Sequence, residues 1–247
     1  MNPFDLSGRT ALVTGANTGL GQAIAVGLAA AGADIVAVGR SAPTETEAMV
    51  TGLGRAFKAI SADLGSTAPI ADVVAGAGPV DILVNNAGII RRADSLDFSE
   101  DDWDAVMDTN LKTAFFLSQA VARTWVADGR GGKIINICSM LSFQGGIRVP
   151  SYTASKSGLA GLTKLLACEW AAKGINVNGI APGYFATNNT QALRADETRN
   201  RDILARIPAG HWGQPSDLAG AAVFLASDAA SYVHGTVLAV DGGWLAR

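Results

Sequence analysis

The chain holds only two cysteines and two histidines among 247 residues, and just 17% of its residues are charged. Cys138 and Cys168 are too few for a disulfide framework, and neither belongs to a CxxC pair, so a reducing, cytoplasmic setting is expected. No metal site is expected. Nineteen Lys and Arg stand against 22 Asp and Glu for a net charge of −3, and no basic run exceeds Arg91-Arg92. A nucleic-acid partner needs a basic stripe, so none is expected. The longest apolar stretch, from Ala23 to Ala33, is about half a membrane span, so no membrane partner is expected either. The start, Met-Asn-Pro-Phe-Asp, has neither a positive nor an apolar segment of the signal-peptide kind, and none is expected. No repeat, low-complexity block or Pro/Gly linker divides the chain, which favours one domain over 1–247 ahead of two small ones.

Hydrophobic residues make up 49%, and the mean hydropathy is +0.24. That composition suits a compact core and excludes a disordered chain. Short β-branched runs alternate with longer helical patterns throughout. Strands are expected at Thr10–Thr14, Asp34–Val38, Ala56–Ser61, Asp81–Val84, Lys133–Ile137, Ile175–Ile180 and Thr236–Val240. Helices are expected near Gly19–Ala31, Thr44–Leu53, Ala68–Ala77, Ser151–Lys173 and Ser216–Ala226. A long one should run from an N-cap at Ser99 to Val126, with Glu100, Asp101 and Asp102 near its positive end. Strands apolar on both faces belong to a parallel sheet covered on both sides. The fold class is therefore α/β, a doubly wound Rossmann-type sheet of about seven strands. Only the polar stretch 183–215 reads as irregular, an excursion beside a site.

The first strand and helix are joined by Thr14-Gly15-Ala16-Asn17-Thr18-Gly19-Leu20-Gly21. Glycines here let the backbone approach a pyrophosphate, whose charge meets the free N–H groups of the helix N-terminus. The spacing is G-x-x-x-G-x-G, not G-x-G-x-x-G, and a ligand-free turn could carry it as well. The second strand ends Val38-Gly39-Arg40, where an NAD site usually places an acid for the ribose 2′-hydroxyl. Asp34 stands at the wrong end of that strand. A guanidinium at Arg40 can grip a 2′-phosphate bidentately, so NADP is favoured and NAD stays possible; the alternative is a solvated surface arginine.

Tyr152-Thr-Ala-Ser-Lys156 sets a phenol and an ammonium one helical turn apart on one face. A nearby cation favours phenolate and draws a pKa of about 10 towards neutrality, where the group can exchange a proton with a carbonyl or alcohol. Ser139 follows the Lys133–Ile137 strand, at the sheet edge where ligands bind.

Thr14-Gly15-x3-Gly19-x-Gly21, Asn85-Asn86-Ala87-Gly88, Asn110, Ser139, Tyr152-x3-Lys156 and Pro182-Gly183, in that order, resemble the short-chain dehydrogenase/reductase family over essentially the whole chain. The resemblance implies a nicotinamide cofactor and a homotetramer. It implies Tyr152 as acid/base, Ser139 as the group orienting the substrate oxygen, and Lys156 as partner of both phenol and ribose. Asn110 would hold a relay water. Gly15, Asn17, Thr18, Gly19, Leu20, Asp63, Leu64, Asn86, Ala87, Gly88, Pro182, Gly183 and Thr187 would line the cofactor. Cys138 and Asn176 depart from the usual serine and arginine of the pattern, and neither is a proposed catalytic group.

Around the expected pocket stand Arg92, Gln144 and Arg148, which offer a cation for a carboxylate and partners for hydroxyls. The strings Ile90–Arg92, Ser139–Tyr152, Ala181–Gln191 and Val240–Arg247 resemble the sugar-acid branch of that family, the 2-deoxy-D-gluconate 3-dehydrogenases, also called 2-dehydro-3-deoxy-D-gluconate 5-dehydrogenases. That branch is mostly described as using NAD, against the reading of Gly39-Arg40. The alternatives are a 3-oxoacyl-carrier-protein reductase, a gluconate 5-dehydrogenase and a non-catalytic cofactor-binding regulator.

Overall fold

A computed structural model describes residues 2–247. Within them, β1 (Thr10–Thr14), β2 (Asp34–Gly39), β3 (Phe57–Ser61), β4 (Ile82–Asn85), β5 (Gly132–Ile137), β6 (Ile175–Pro182) and β7 (Val237–Val240) form one sheet in the order 3-2-1-4-5-6-7. All six pairings are parallel. The central strands are buried along nearly their whole length, while β3 and β7, at the edges, are partly exposed. This is the expected Rossmann-type sheet.

Alternation along each strand feeds two cores. Ala11, Val13, Ile135 and Ile137 face α1 (Gly19–Ala30) and α9 (Ala219–Ala226), where they meet Ile24, Leu28 and Leu225. Leu12, Leu83 and Ile134 point the other way, onto Val73 of α3 (Ile70–Ala77), Val121 of α5 (Thr113–Ala127) and Leu166 of α6 (Pro150–Trp170). Fully burying such a side chain is worth roughly 1.5–3 kcal/mol, so a polar residue on either face would cost comparably. Trp125 lies in the second core, and its indole Nε1 donates to the Val80 carbonyl at 2.5 Å.

Two expectations need correction. The long helix begins at Ser99, whose hydroxyl accepts from the Asp102 N–H at 3.2 Å, but it is not uniform. After α4 (Glu100–Met107) comes a π turn over Asp108–Lys112, and α5 continues from Thr113. A one-residue widening leaves the hydrophobic pattern helical, so periodicity cannot reveal it, and such turns concentrate at functional sites. This one carries Asn110. The stretch 183–215 is not irregular either: it holds α7 (Gln191–Ala195) and α8 (Glu197–Arg206). Asp196 caps α8 by accepting the Arg199 N–H at 3.0 Å, and Ile203 and Ile207 anchor it. α2 (Thr44–Gly52) lies beside the end of β2.

Candidate active site

At the switch point between β1 and β4 the carboxyl ends of the strands open into a cleft of about 940 Å³. Gly15 turns the chain out of β1 with φ +66°. A Cβ there would sit 3.0 Å from Asn86 Nδ2, and one at Gly21 would run into the Gly15 carbonyl. The turn therefore tolerates only glycine at both places, and it brings bare backbone to the cleft. Thr18, at the N-cap of α1, is extended and supplies no side-chain acceptor, so the first N–H groups of the helix stay free for an anion.

Asn86 holds this turn from beneath. Its Nδ2 donates to the carbonyls of Thr14 and Gly15 at 2.9 and 3.1 Å. The Thr14 hydroxyl accepts the N–H groups of Asn86 and Ala87 at 3.0 and 2.9 Å. Asn85 extends the network inward, donating to Ser118 Oγ and Asn136 Oδ1, each at 2.8 Å. The cradle is thus rigid before any ligand arrives.

A second hollow of about 360 Å³ continues past Asn17 to Gly39, Arg40 and the N-terminus of α2. Arg40 is exposed and makes no ion pair among the described residues. Asp34, at the far end of β2, pairs with Arg55 at 2.7 Å and is unavailable here. A cradle shaped for backbone approach, leading to a free guanidinium, fits a nicotinamide dinucleotide bearing a 2′-phosphate.

Ser139, Tyr152 and Lys156 meet on the cleft wall. The Ser139 hydroxyl accepts the Leu141 N–H at 3.2 Å and caps a short 3₁₀ turn. The Ser142 hydroxyl reaches back to accept the Ser139 N–H and donates to the Lys156 carbonyl at 2.7 Å, fixing this loop on α6. Tyr152 lies in the first turns of α6, begun by Pro150 at a position where the missing N–H costs nothing. The Lys156 ammonium is buried, donates to the Ile137 carbonyl at 2.6 Å and sits 5.7 Å from the centre of the Tyr152 ring. Burial brings Lys156 from 10.5 down to about 8, opposed by the nearby Cys138 sulfur. Against the expected fall towards neutrality, burial raises the Tyr152 phenol; the Ser139 hydroxyl and the Arg92 charge oppose that rise, and Cys138 adds to it.

Other expected site residues are dispersed. Gly19, Leu20, Ala87, Gly88, Pro182 and Thr187 join the cleft wall, with Thr187 reaching over Gly19. Asn110 does not line it. Its Oδ1 accepts the Ile89 N–H at 2.8 Å, and its Nδ2 donates to the Ile89 carbonyl at 2.9 Å and to Ser155 Oγ at 3.3 Å. That side chain ties the segment after β4 to α6, so any role at the reacting atoms falls to its backbone. Leu64 is core, Asp63 is exposed and accepts the Gly65 N–H at 3.0 Å, and the Gly183 N–H donates to the Val240 carbonyl at 2.9 Å, tying β6 to β7.

At the mouth, Arg148 already has a carboxylate: its Nε lies 3.4 Å from Asp94 Oδ1, both side chains exposed. It also holds φ +64°, a strained value for a non-glycine residue. Arg92 and Gln144 stay on the wall. Gln144 Oε1 accepts from Trp244 Nε1 at 3.2 Å and from Arg206 Nη2 at 3.4 Å. Arg206 and Trp244 were not expected here from sequence. Trp244 sits among Tyr184, Met140, Ile203 and Ile207, brought together only by the fold.

These features define a nicotinamide-dependent oxidoreductase site of the tyrosine–lysine kind. The family model described as short chain dehydrogenase matches residues 9–198, and the chain belongs to that family. It is 62% identical, over all of this chain and 99% of the relative, to the 2-dehydro-3-deoxy-D-gluconate 5-dehydrogenase of Escherichia coli K12. Among solved structures, a candidate 2-deoxy-D-gluconate 3-dehydrogenase from Agrobacterium tumefaciens, with bound NADP, superposes at a TM-score of 0.96 with 66% identity and full coverage of both chains. A candidate gluconate 5-dehydrogenase from Beutenbergia cavernae, with NADP bound at low occupancy, gives 0.96 at 52% identity, again covering both chains fully.

Proposed function

We propose that this chain is an NADP-using sugar-acid dehydrogenase that interconverts a secondary alcohol and a ketone, with 2-dehydro-3-deoxy-D-gluconate as substrate and oxidation at its C5 hydroxyl. The observation that carries this reading is the meeting of Ser139, Tyr152 and buried Lys156 on the wall of a cleft that runs from the glycine turn to a mouth rich in arginine. The identity to 2-dehydro-3-deoxy-D-gluconate 5-dehydrogenases of two further bacteria, at 62% and 55%, supports the substrate. Free Arg40 after Gly39, and NADP in the solved relatives, support the cofactor.

When bound, the nicotinamide accepts or returns the hydride, and the protein supplies orientation and proton chemistry. The N-terminus of α1 would hold the pyrophosphate, and Arg40 the 2′-phosphate. Ser139 donates a hydrogen bond to the substrate oxygen and fixes its distance from the Tyr152 hydroxyl. In oxidation Tyr152, as phenolate, takes the alcohol proton; in reduction, as phenol, it returns it. Its raised pKa makes the phenol the resting form, which suits proton donation to a ketone. The Lys156 ammonium, fixed by the Ile137 carbonyl and 5.7 Å from the ring centre, would bind the nicotinamide ribose and set positive charge near the ring, while the Ser139 hydroxyl and the Arg92 charge oppose the rise of the phenol.

We take residues 1–247 as one functional unit, with α7 and α8 as its substrate-facing part; their place along the cleft supports this. A homotetramer in the cytoplasm is the form we propose. The exposed apolar residues Trp103, Phe116, Leu165 and Tyr232 support assembly, and the free cysteines suit a reducing compartment. No described helix is long and apolar enough to cross a membrane. Light scattering would show a mass four times that of the chain. The functional reading is tested by steady-state rates with sugar acids and with acetoacetyl thioesters: comparable kcat/KM on thioesters would favour the carrier-protein reductase instead.

A further inference from the structure

Four arginines besides Arg40 face the openings of the site: Arg92, Arg148, Arg199 and Arg206. Arg148 pairs with Asp94. The other three have no acidic partner among the described residues. Of these, Arg206 alone is built into a fixed platform. Its guanidinium lies 4.0 Å from the centre of the Trp244 ring, and its Nη2 donates to Gln144 Oε1. Trp244 Nε1 donates to that same oxygen, so one amide locks both residues. Behind them Trp244 is buried and meets Tyr184 edge-on at 4.8 Å, and Tyr184 in turn meets Trp212 at 5.3 Å.

This arrangement costs a ligand little reorganisation. The guanidinium carbon lies over the indole, and Arg206, Trp244 and Gln144 together line the cleft. Gln144, its oxygen already used by two donors, has its amide N–H groups left to give, and the Asp241 carboxylate, three residues before Trp244, is taken up by the Gly243 and Leu245 N–H groups. An anionic oxygen pair is the complementary ligand. Arg92 occupies a different place: its charge acts on the Tyr152 phenol, so it belongs to the reacting end. Arg206 instead stands on Trp244, in the cluster with Tyr184, Ile203 and Ile207. A sugar acid oxidised at C5 carries its carboxylate at C1, four carbons from the reacting atom, so its charge must be received away from Tyr152.

We infer that Arg206, held by Trp244 and Gln144, is the receptor for the substrate carboxylate and sets the selectivity for sugar acids over neutral sugars. This rests on the sugar-acid reading above. The test compares 2-dehydro-3-deoxy-D-gluconate with its carboxamide, which keeps the size and loses the charge. Wild type, Arg206→Met and Arg206→Lys are measured with saturating NADP, and folding is checked by the unchanged affinity for NADP. Arg206→Met should raise KM for the acid about ten- to hundredfold and change KM for the amide less than about threefold, with kcat for the acid largely kept. Arg206→Lys, which keeps the charge without the planar fork, should fall between. Equal losses on acid and amide, or a variant as selective as wild type, overturns the assignment. A wild type that does not distinguish acid from amide overturns the sugar-acid reading itself, and this inference with it. A selective loss in Arg92→Met and none in Arg206→Met places the receptor at Arg92 and refutes the inference alone.

Discussion

Replacing Lys156 by methionine should inactivate the enzyme and stabilise the fold. The ammonium is almost fully buried, and burial takes its pKa from 10.5 down to about 8. That drop corresponds to roughly 3 kcal/mol of cost for keeping the charge inside at neutral pH. Methionine fills a similar volume with no charge, but it leaves the Ile137 carbonyl without its donor, which costs about 1 kcal/mol. The expected net gain is about 2 kcal/mol, or roughly 4–8 °C in Tm for a chain of this length. The pH dependence separates this cause from general repacking. Below pH 8 the group is protonated whether folded or unfolded, and the wild type bears the full cost. Between pH 8 and 10.5 the folded protein sheds the proton while the unfolded chain keeps it, so wild-type stability rises relative to the variant. The advantage of Lys156→Met should thus be complete below pH 8 and vanish towards pH 10.5. Urea midpoints of both proteins without cofactor, at fixed protein concentration across that range, measure it. A variant less stable than wild type at pH 7, or an advantage that does not shrink with pH, would refute the reasoning.

Tyr152→Phe should remove hydride transfer and leave NADP affinity within about threefold, read by cofactor fluorescence, since only the phenolic oxygen is lost. Because burial raises the Tyr152 phenol, oxidation, which needs the phenolate, should quicken with pH up to about 8 and stop rising above it as Lys156 sheds its proton, while reduction should not gain with pH. Arg40→Ala should weaken NADP about ten- to hundredfold and leave NAD nearly unchanged, while Gly39→Asp should shift preference towards NAD; titration calorimetry with both cofactors checks this. Asn86→Ala removes two hydrogen bonds from the glycine turn and should cost about 1–3 kcal/mol of stability together with NADP affinity, seen as a lower urea midpoint and a higher Kd. Arg148→Ala, whose guanidinium already faces Asp94, should change kcat/KM for acid and amide in parallel and by less than about threefold.

How far the residues alone could be read depended on how local each cause was. β1 and β2 announce themselves because a strand buried on both faces carries an unbroken apolar run, here Ala11–Val13 and Ile35–Val38, and the Thr14–Gly21 turn because its glycines answer to local sterics. The family resemblance placed Ser139, Tyr152 and Lys156, and these do share one wall of the cleft. The π turn at Asn110 escaped because one extra residue per turn leaves no mark in hydrophobic spacing. α8 escaped because Glu197–Asp202 is polar throughout, and its anchors, Ile203 and Ile207, need the fold to give them a core. Arg148 looked like the natural carboxylate partner by its distance from Tyr152 along the chain, yet a neighbouring turn supplies Asp94. Arg206 gave no signal, since its meaning lies in Trp244 and Gln144, and those two stand 100 residues apart in sequence. Asn86 shows the same limit: it lines the cleft as expected, but that its amide also holds the glycine turn from beneath is visible only in the fold.

The most direct test of the central claim is the rate at which the purified protein reduces NADP in the presence of 2-dehydro-3-deoxy-D-gluconate at alkaline pH, followed by the absorbance of the reduced nicotinamide and compared with NAD and with D-gluconate. The site predicts turnover with kcat/KM highest for 2-dehydro-3-deoxy-D-gluconate and for NADP, abolished in Tyr152→Phe. No turnover of any sugar acid with either cofactor, or equal rates in wild type and Tyr152→Phe, would contradict it.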